Sequence, residues 1–421
     1  MKSSASPQKA PQKAHEKAQL SIPFVVACGC LIAIITFGPR STMGFFVAPM
    51  TDANGWSREI FALAIALQNL FWGIAQPFVG MIADKYGTWK TLTAGALCYG
   101  LGLALMSVVT DPLALQLTAG VLVGFGIAGS AFFLVLAAFA RIVPEKHRSA
   151  VFGLGTAAGS AGQFIFAPIG QGFVAAYGFH FTLLFLAACV LLVPLLAIPL
   201  RGKPVAKLAV GEVDQSVRQA LAQAFNHPSF WLLTVGFFVC GFHVAFITVH
   251  MPPYIVDLGL DPKWGGYSIA MIGFFNIIGA IASGFLSARV PKRHVLSLIY
   301  FARAVIITLF LLAPVSAYSI IAFSGAMGLL WLSTIPPTQG LVAAMFGTRY
   351  MAMLFGVVFF SHQLGSFTGI WLGGRIYDLT GSYDGIWYIG IALGLIAALL
   401  HWPIREERVL GLSPVRSSNL N

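Results

Sequence analysis

Charge is what this 421-residue chain has least of: Asp, Glu, Lys and Arg make up 9%, against roughly 25% in soluble domains. Acidic residues are the scarcer kind, 14 against 25 Lys and Arg, and all of them fall in polar breaks or at the ends of apolar runs. No carboxylate is therefore expected deep inside an apolar segment. Such a balance excludes a water-soluble globular enzyme, a nucleic-acid binder and a disordered chain. Cysteine is also sparse. Cys28, Cys30, Cys98, Cys189 and Cys240 are odd in number, lie in apolar runs and fit no metal-ligand spacing, so they are expected to be small buried hydrophobes. The glycine-rich runs carry no Walker lysine and no strand–helix context, so no nucleotide or other cofactor is expected. No nucleophile–base pair or metal-ligand set falls on adjacent turns, which argues against an enzyme.

What the chain has instead is apolar length. Hydrophobic residues make up 58% and the mean hydropathy is +0.84. With about 20 apolar residues needed per bilayer crossing, the polar and Pro/Gly breaks divide it into twelve spans. These are 24–50, 58–82, 92–110, 113–140, 150–174, 181–200, 229–254, 265–288, 295–313, 317–345, 351–373 and 385–403. The expected fold class is thus an all-α polytopic membrane protein. Its parts would be an N-terminal tail (1–23), a six-helix lobe (24–200), a charged central loop (201–228), a second six-helix lobe (229–403) and a C-terminal tail (404–421). The polar, lysine-bearing start has no small-residue cleavage pattern, so no cleaved signal is expected. Lys and Arg set the orientation. Twenty of the 25 fall on the side of the N-terminus and only Arg58, Lys263 and Arg375 on the other, which makes both termini cytoplasmic.

The halves repeat. Gly80-Met-Ile-Ala-Asp84-Lys85 matches Gly284-Phe-Leu-Ser-Ala288-Arg289 at an offset of 204, while Phe152-Gly153, Gly162 and Gly178 match Phe355-Gly356, Gly365 and Gly381 at 203. Parallel six-span repeats around a charged central loop are a transporter layout, with the substrate site between the lobes near the midplane.

The loop after span 2, Gly80-x-x-x-Asp84-Lys85-x-Gly87-x-x-Lys90, resembles the signature of the major facilitator superfamily, and the resemblance covers about residues 20–405. It implies two pseudo-symmetric six-helix lobes, spans 1, 4, 7 and 10 around a central cavity, and alternating access without ATP. Gly80, Asp84, Lys85, Gly87 and Lys90 would be the gating residues. Gly80 would permit close helix approach, and Asp84 would accept bonds from a helix N-terminus or pair with an arginine.

Charges within the spans are costly, about 2.5–3.5 kcal/mol each on insertion scales. Arg40 follows Pro39 in span 1, about 24 Å from its cytoplasmic end at 1.5 Å per residue. Its planar fork suits a carboxylate; the alternative is a structural pairing with carbonyls, Asp52 or Glu59. Arg303 in span 9 is expected to snorkel or bond between helices. His243 and His250 share a face of span 7, and His362-Gln363 sits mid-span 11. Histidine titrates near neutral pH, so His243 and His362 are candidates for proton coupling. Gln163, Asn69, Thr334 and Gln339 read as packing contacts.

Pro39-Arg40-Ser41 with Gly44-Phe45-Phe46, and Lys146-His147-Arg148 with Gly153 and Ala157-Ala158-Gly159-Ser160, are similar to the monocarboxylate-transporter branch and the related oxalate/formate exchangers. That resemblance implies movement of a small organic anion with a proton or against a counter-anion. Asn276 and Ala280 stand where that branch carries Asp and Arg on span 8, leaving His362 as the candidate second positive group. The expected substrate contacts are Arg40, His243, Asn276, His362 and Gln363. The expected partners are the solute, protons or a counter-anion and the lipid bilayer, with no nucleic acid, in a monomer of a bacterial inner membrane. The alternative is a proton-driven exporter of drugs or larger metabolites, to which Ala167-Pro168-Ile169-Gly170-Gln171-Gly172 in span 5 is a partial match.

Overall fold

The structure, a computed structural model, describes residues 21–202, 216–347 and 350–408. Among these every element is helical, as the physics of hydrocarbon requires: a helix satisfies its own N–H and C=O groups where no water can. The helices are α1 (Ile22–Ser41), α2 (Val47–Asn54), α3 (Arg58–Tyr86), α4 (Thr88–Met106), α5 (Pro112–Leu115), α6 (Val123–Ser130), α7 (Phe132–Ile142), α8 (Glu145–Val190) and α9 (Val193–Leu196). They continue with α10 (Val217–Phe225), α11 (Pro228–Asp257), α12 (Lys263–Arg289), α13 (Lys292–Leu312), α14 (Ala317–Leu330), α15 (Ile335–Phe346), α16 (Met351–Thr380) and α17 (Asp384–His401). Ten helical stretches among the described residues are long and apolar enough to cross a bilayer.

Several spans expected to be single helices are broken. The expected 24–50 stops at Ser41, two residues after Pro39, and resumes through a 3₁₀ turn (Met43–Phe46) into α2. The expected 113–140 contains a π-helical stretch (Gln116–Leu122) and breaks at Ala131, whose ψ of 143° is extended. The expected 317–345 breaks between Leu330 and Ile335. The expected fifth and sixth spans are separated at Gly178, whose backbone (φ 77°, ψ 171°) breaks α8 into two helices, and the sixth continues past Val190 through α9 and a 3₁₀ turn (Ile198–Leu200).

Helix crossings in the first half of the chain are matched in the second. A Cβ on Gly162 of α8 would strike the backbone of Ile34 in α1, and one on Gly365 of α16 would strike the backbone of Phe238 in α11. Between halves, α3 packs on α16, α8 on α12, and the Met43–Phe46 turn on α11. These contacts share one end of the bundle. A Cβ on Gly44 would lie 2.6 Å from the Thr248 carbonyl, one on Gly73 2.8 Å from Gln363, and one on Gly374 2.6 Å from Ala62. Further along the same four long helices, a Cβ at Gly80, Gly153, Gly284 or Gly356 would meet nothing within 4 Å. The close approaches between halves run from the Arg58 end of α3 as far as Gly73, and these four open glycines lie toward the other end of their helices. Gly80, expected to allow close helix approach, has no such neighbour in this state.

Gly95 of α4 lies directly on the backbone of Gly129 in α6. Gly95→Val is expected to destabilise the fold by about 1–3 kcal/mol, the usual range for overpacking, whereas Gly80→Ala is expected to leave stability unchanged or slightly raised. Thermal unfolding of the detergent-solubilised proteins checks both.

Candidate functional site

The break after α1 fixes the position of Arg40. Its side chain turns inward from the last turn of α1, half-buried, and Nη2 donates to Asn69 Oδ1 of α3 at 3.2 Å. Asn69 is aimed by its own amide, which donates to the Ile65 carbonyl at 2.9 Å. Two aromatic faces flank the guanidinium, Trp72 at 4.8 Å and Phe37 at 5.5 Å from ring centroid to Cζ, an arrangement suited to a cation. Trp72 is oriented by a 2.8 Å bond from Nε1 to Gln76 Oε1. Nε of Arg40 has no partner, and among the described residues no acidic group pairs with it.

Arg40 lines a cavity of about 10 Å³ with Gln68 and Asn69 of α3, Thr248 of α11 and Ile370 of α16, room for about one water. Both halves of the chain supply its walls. Arg40 is the one charged residue in that lining.

Beyond the cavity the halves are latched. Arg58 at the start of α3 forms a bidentate pair with Asp257 at the end of α11, at 2.6 and 2.8 Å, and stacks on Tyr377 at 3.8 Å. Glu59 accepts from Arg375 at 2.8 Å and from Trp371 Nε1 at 3.0 Å. Ser57 makes no side-chain cap at the N-terminus of α3. Asp378 of α16 supplies one instead, accepting from the backbone N–H groups of Arg58 (3.1 Å) and Glu59 (2.7 Å), where a negative charge suits the helix end. Arg58 also donates to Tyr383 Oη at 3.0 Å, which bonds His250 Nδ1 at 3.1 Å. His250 Nε2 lies 2.8 Å from the Ile370 carbonyl, which can only accept. The ring must therefore carry its proton on Nε2, and Tyr383 donates to Nδ1. Burial pushes the Tyr383 hydroxyl up, so it stays protonated and able to donate.

The residues singled out in the sequence do not converge on one point. Gln363 lies across from Gly73 of α3, one turn beyond Asn69 and beside Trp72; it is fully buried and its Nε2 has no partner. His362 stacks between Phe359 (5.6 Å, 9°) and Phe237 (5.1 Å), with Nδ1 3.2 Å from Gln363 Oε1. Asn276 is engaged at both ends of its amide, donating to Ser160 Oγ at 2.9 Å and accepting from Leu332 N at 2.9 Å. His243 is placed elsewhere, its Nε2 2.8 Å from the Gly390 carbonyl of α17. Glu59, one alternative partner for Arg40, is taken by Arg375. Arg303 bonds between helices, donating to the carbonyls of Leu330 (2.6 Å) and Trp331 (2.5 Å) at the break after α14.

Of the expected gating residues, Gly87 takes φ 97° between α3 and α4, and Lys85 and Lys90 are exposed. The side chain of Asp84 lies outside the described residues, as do those of Lys146 and Arg148. The latch was missed, although two of its members, Arg58 and Arg375, are among the three cations that broke the charge rule. That exception was its signal.

A family model described as the Major Facilitator Superfamily matches residues 29–360. An uncharacterised transporter of that type from Bacillus subtilis (strain 168), YcxA, is 26% identical over 378 residues, covering 86% of this chain and 89% of that protein. Monocarboxylate transporter 13 of Bos taurus is 25% identical over 389 residues, covering 90% of this chain and 89% of that one. The crystal structure of a D-xylose-proton symporter superimposes with a TM-score of 0.71 at 13% identity, over 92% of this chain and 100% of the other.

The latch yields a direct expectation. Arg58→Ala leaves Asp257 without its cation and should loosen the latched end, and Arg58→Lys should restore it only in part because an ammonium cannot pair bidentately. Val249, 2% exposed in the wall of the Arg40 cavity, serves as reporter. Val249→Cys should be silent to a membrane-impermeant thiol reagent in the intact latch and become reactive when Arg58→Ala is added.

Proposed function

The chain belongs to the major facilitator superfamily, a family of membrane transporters and not of enzymes, and on that premise we propose that it carries a small organic anion, a monocarboxylate, by alternating access. Proton symport or exchange for another anion supplies the energy. The observation that carries this reading is Arg40: a guanidinium between the halves, with a free Nε and no carboxylate of its own among the described residues. A half-buried cation so placed invites an anionic partner from outside, and its fork matches a carboxylate. That monocarboxylate transporter 13 is among the similar proteins supports the same reading at 25% identity.

In this reading Arg40 is the anion anchor and Gln363 Nε2 a second donor. Asn276, His243 and His362 hold helices together, and His243 and His362 remain the candidates for proton coupling. The twelve-span, two-lobe layout is supported by the 19-residue α4, by the break of α8 at Gly178 and by the paired Gly162 and Gly365 crossings. With both termini cytoplasmic, the latched end faces outward and this state is open to the cytoplasm. Asp84, Lys85 and Lys90, with Gly80 and Gly87, then lie at the end that must close. A bacterial inner membrane and a monomer complete the proposal.

Uptake by proteoliposomes, followed through the pH change or the current, tests it with mono- and dicarboxylates against hydrophobic cations and neutral solutes. Arg40→Gln should lower carboxylate kcat/KM by about 10- to 100-fold, the loss of one charged hydrogen bond of about 1.5–3 kcal/mol, without loss of folding. Silence for every carboxylate, with movement of bulky or neutral solutes, overturns the anion reading in favour of the exporter.

A further inference from the structure

The rings around Arg40 extend well past the two that touch it. Trp72 meets Phe359 edge-on at 5.3 Å, Phe359 meets Phe133 at 5.9 Å, Phe133 stacks beside Phe132 at 4.3 Å, and Phe132 meets Phe37 at 6.4 Å. Four of these five residues come from α1, α3 and α7 in the first half of the chain. The fifth, Phe359, comes from α16 in the second. In this state the rings pack on one another, and the cavity that Arg40 lines is about 10 Å³. A solute larger than water seated in that cavity needs side chains to give way, and parting Phe359 from Trp72 and Phe133 exposes aromatic faces beside the guanidinium.

Polar chemistry at the same place is limited. Trp72 and Phe37 cover the faces of Arg40, so an anion must approach along the edge, where Nε is free. No second Lys or Arg lines the cavity, so the site compensates one negative charge. The other orphaned groups nearby are neutral, the amides Gln363 Nε2 and Gln68 Oε1 and the Tyr99 hydroxyl, and of the amides the first can donate to a carboxylate oxygen. One charge at an edge, one amide donor and a shell of separable rings describe an acid with a single carboxylate and a flat apolar body.

We propose that the solute is an aryl monocarboxylate, its carboxylate on Arg40 and its ring inserted where Phe359 now meets Trp72 and Phe133. The proposal rests on the anion-carrier reading and narrows it. A short acid such as acetate or lactate would satisfy Arg40 but leave the parted rings facing water. An aryl acid replaces the lost ring–ring contacts with its own, and edge-to-face and offset contacts add to simple burial. A dicarboxylate would bring a second charge with no cation to meet it.

Equilibrium binding to the full chain in lipid nanodiscs tests the proposal, using benzoate and phenylacetate against acetate, lactate and phthalate, with phenylacetamide as the uncharged aryl control. The aryl monoacids should bind at least about tenfold more tightly than acetate or lactate, an advantage on the order of that given by burying a ring in aromatic contact. Phe359→Leu should remove most of that preference, weakening the aryl acids far more than acetate. Phe359→Tyr should retain it. Arg40→Gln should weaken binding of every acid by about 10- to 100-fold. Should Phe359→Leu fail to fold, Trp72→Phe and Trp72→Leu make the same comparison. Equal, Arg40-dependent binding of short and aryl acids would overturn the aryl assignment and leave the anion-carrier reading standing. Binding of phenylacetamide as tight as that of phenylacetate, or binding of no acid at all, would overturn both.

Discussion

A guanidinium in hydrocarbon needs its charge met by something, and around Arg40 that something is built entirely from neutral groups. Asn69 supplies one carbonyl oxygen, while Trp72 and Phe37 supply two π faces. A carboxylate there would neutralise the charge permanently. An amide and two rings soften it and leave Nε free. Much of the surrounding structure serves this placement. The break at Pro39 and the turn at Met43–Phe46 end α1 where Arg40 turns inward. The bare backbone at Gly44 lets the Thr248 carbonyl come close enough to wall the cavity.

The same logic of partial satisfaction governs the latch. Exposed or half-exposed ion pairs contribute about 0–1 kcal/mol apiece, and the Arg375–Glu59 pair, with half of the arginine side chain exposed, belongs to that class. Arg58–Asp257 is better shielded and bidentate, and Asp378 adds two charge-assisted bonds to backbone N–H groups. Together they hold one end shut by a modest margin. A carrier that must alternate needs its states close in energy, because a solute can shift the balance only by its differential affinity for them. A latch of several weak polar contacts can be remade, whereas a continuous apolar seam at that end could not be opened to water cheaply.

How much of this could be read from the chain alone follows from what apolar sequence encodes. Helical character, the repeat and the isolated position of Arg40 were all legible, because charge and glycine stand out against an apolar background. The side to which a residue points was not. A helix face against lipid and one against another helix are equally apolar, so nothing local separated Arg40, which reaches the cavity, from His243, which turns to Gly390. The partners of Arg58 and Arg375 lie 199 and 316 residues away, beyond any local pattern. The break at Ala131 has no proline at all to announce it, while the one before Ile335 is followed by Pro336 and Pro337. Gln363 was legible as a polar residue in mid-span, but its position opposite Gly73 comes only from the packing of α3 on α16.

The amide of Asn276, bonded to Ser160 in the opposite half, lies between the glycine contacts of α12 and the open stretch at Gly284. Mechanically that is where a fulcrum belongs. From Asn276 to the end of α12 at Arg289 is roughly 20 Å of helix at 1.5 Å per residue, so a tilt of about 10° swings the tip by about 3.5 Å. Four long helices tilting together multiply that into a mouth wide enough for a solute, while atoms at the pivot barely shift. A residue at a fulcrum keeps its bonds through the stroke. Its worth lies in staying put, and a buried amide with both ends committed does that better than a side chain left free for cargo.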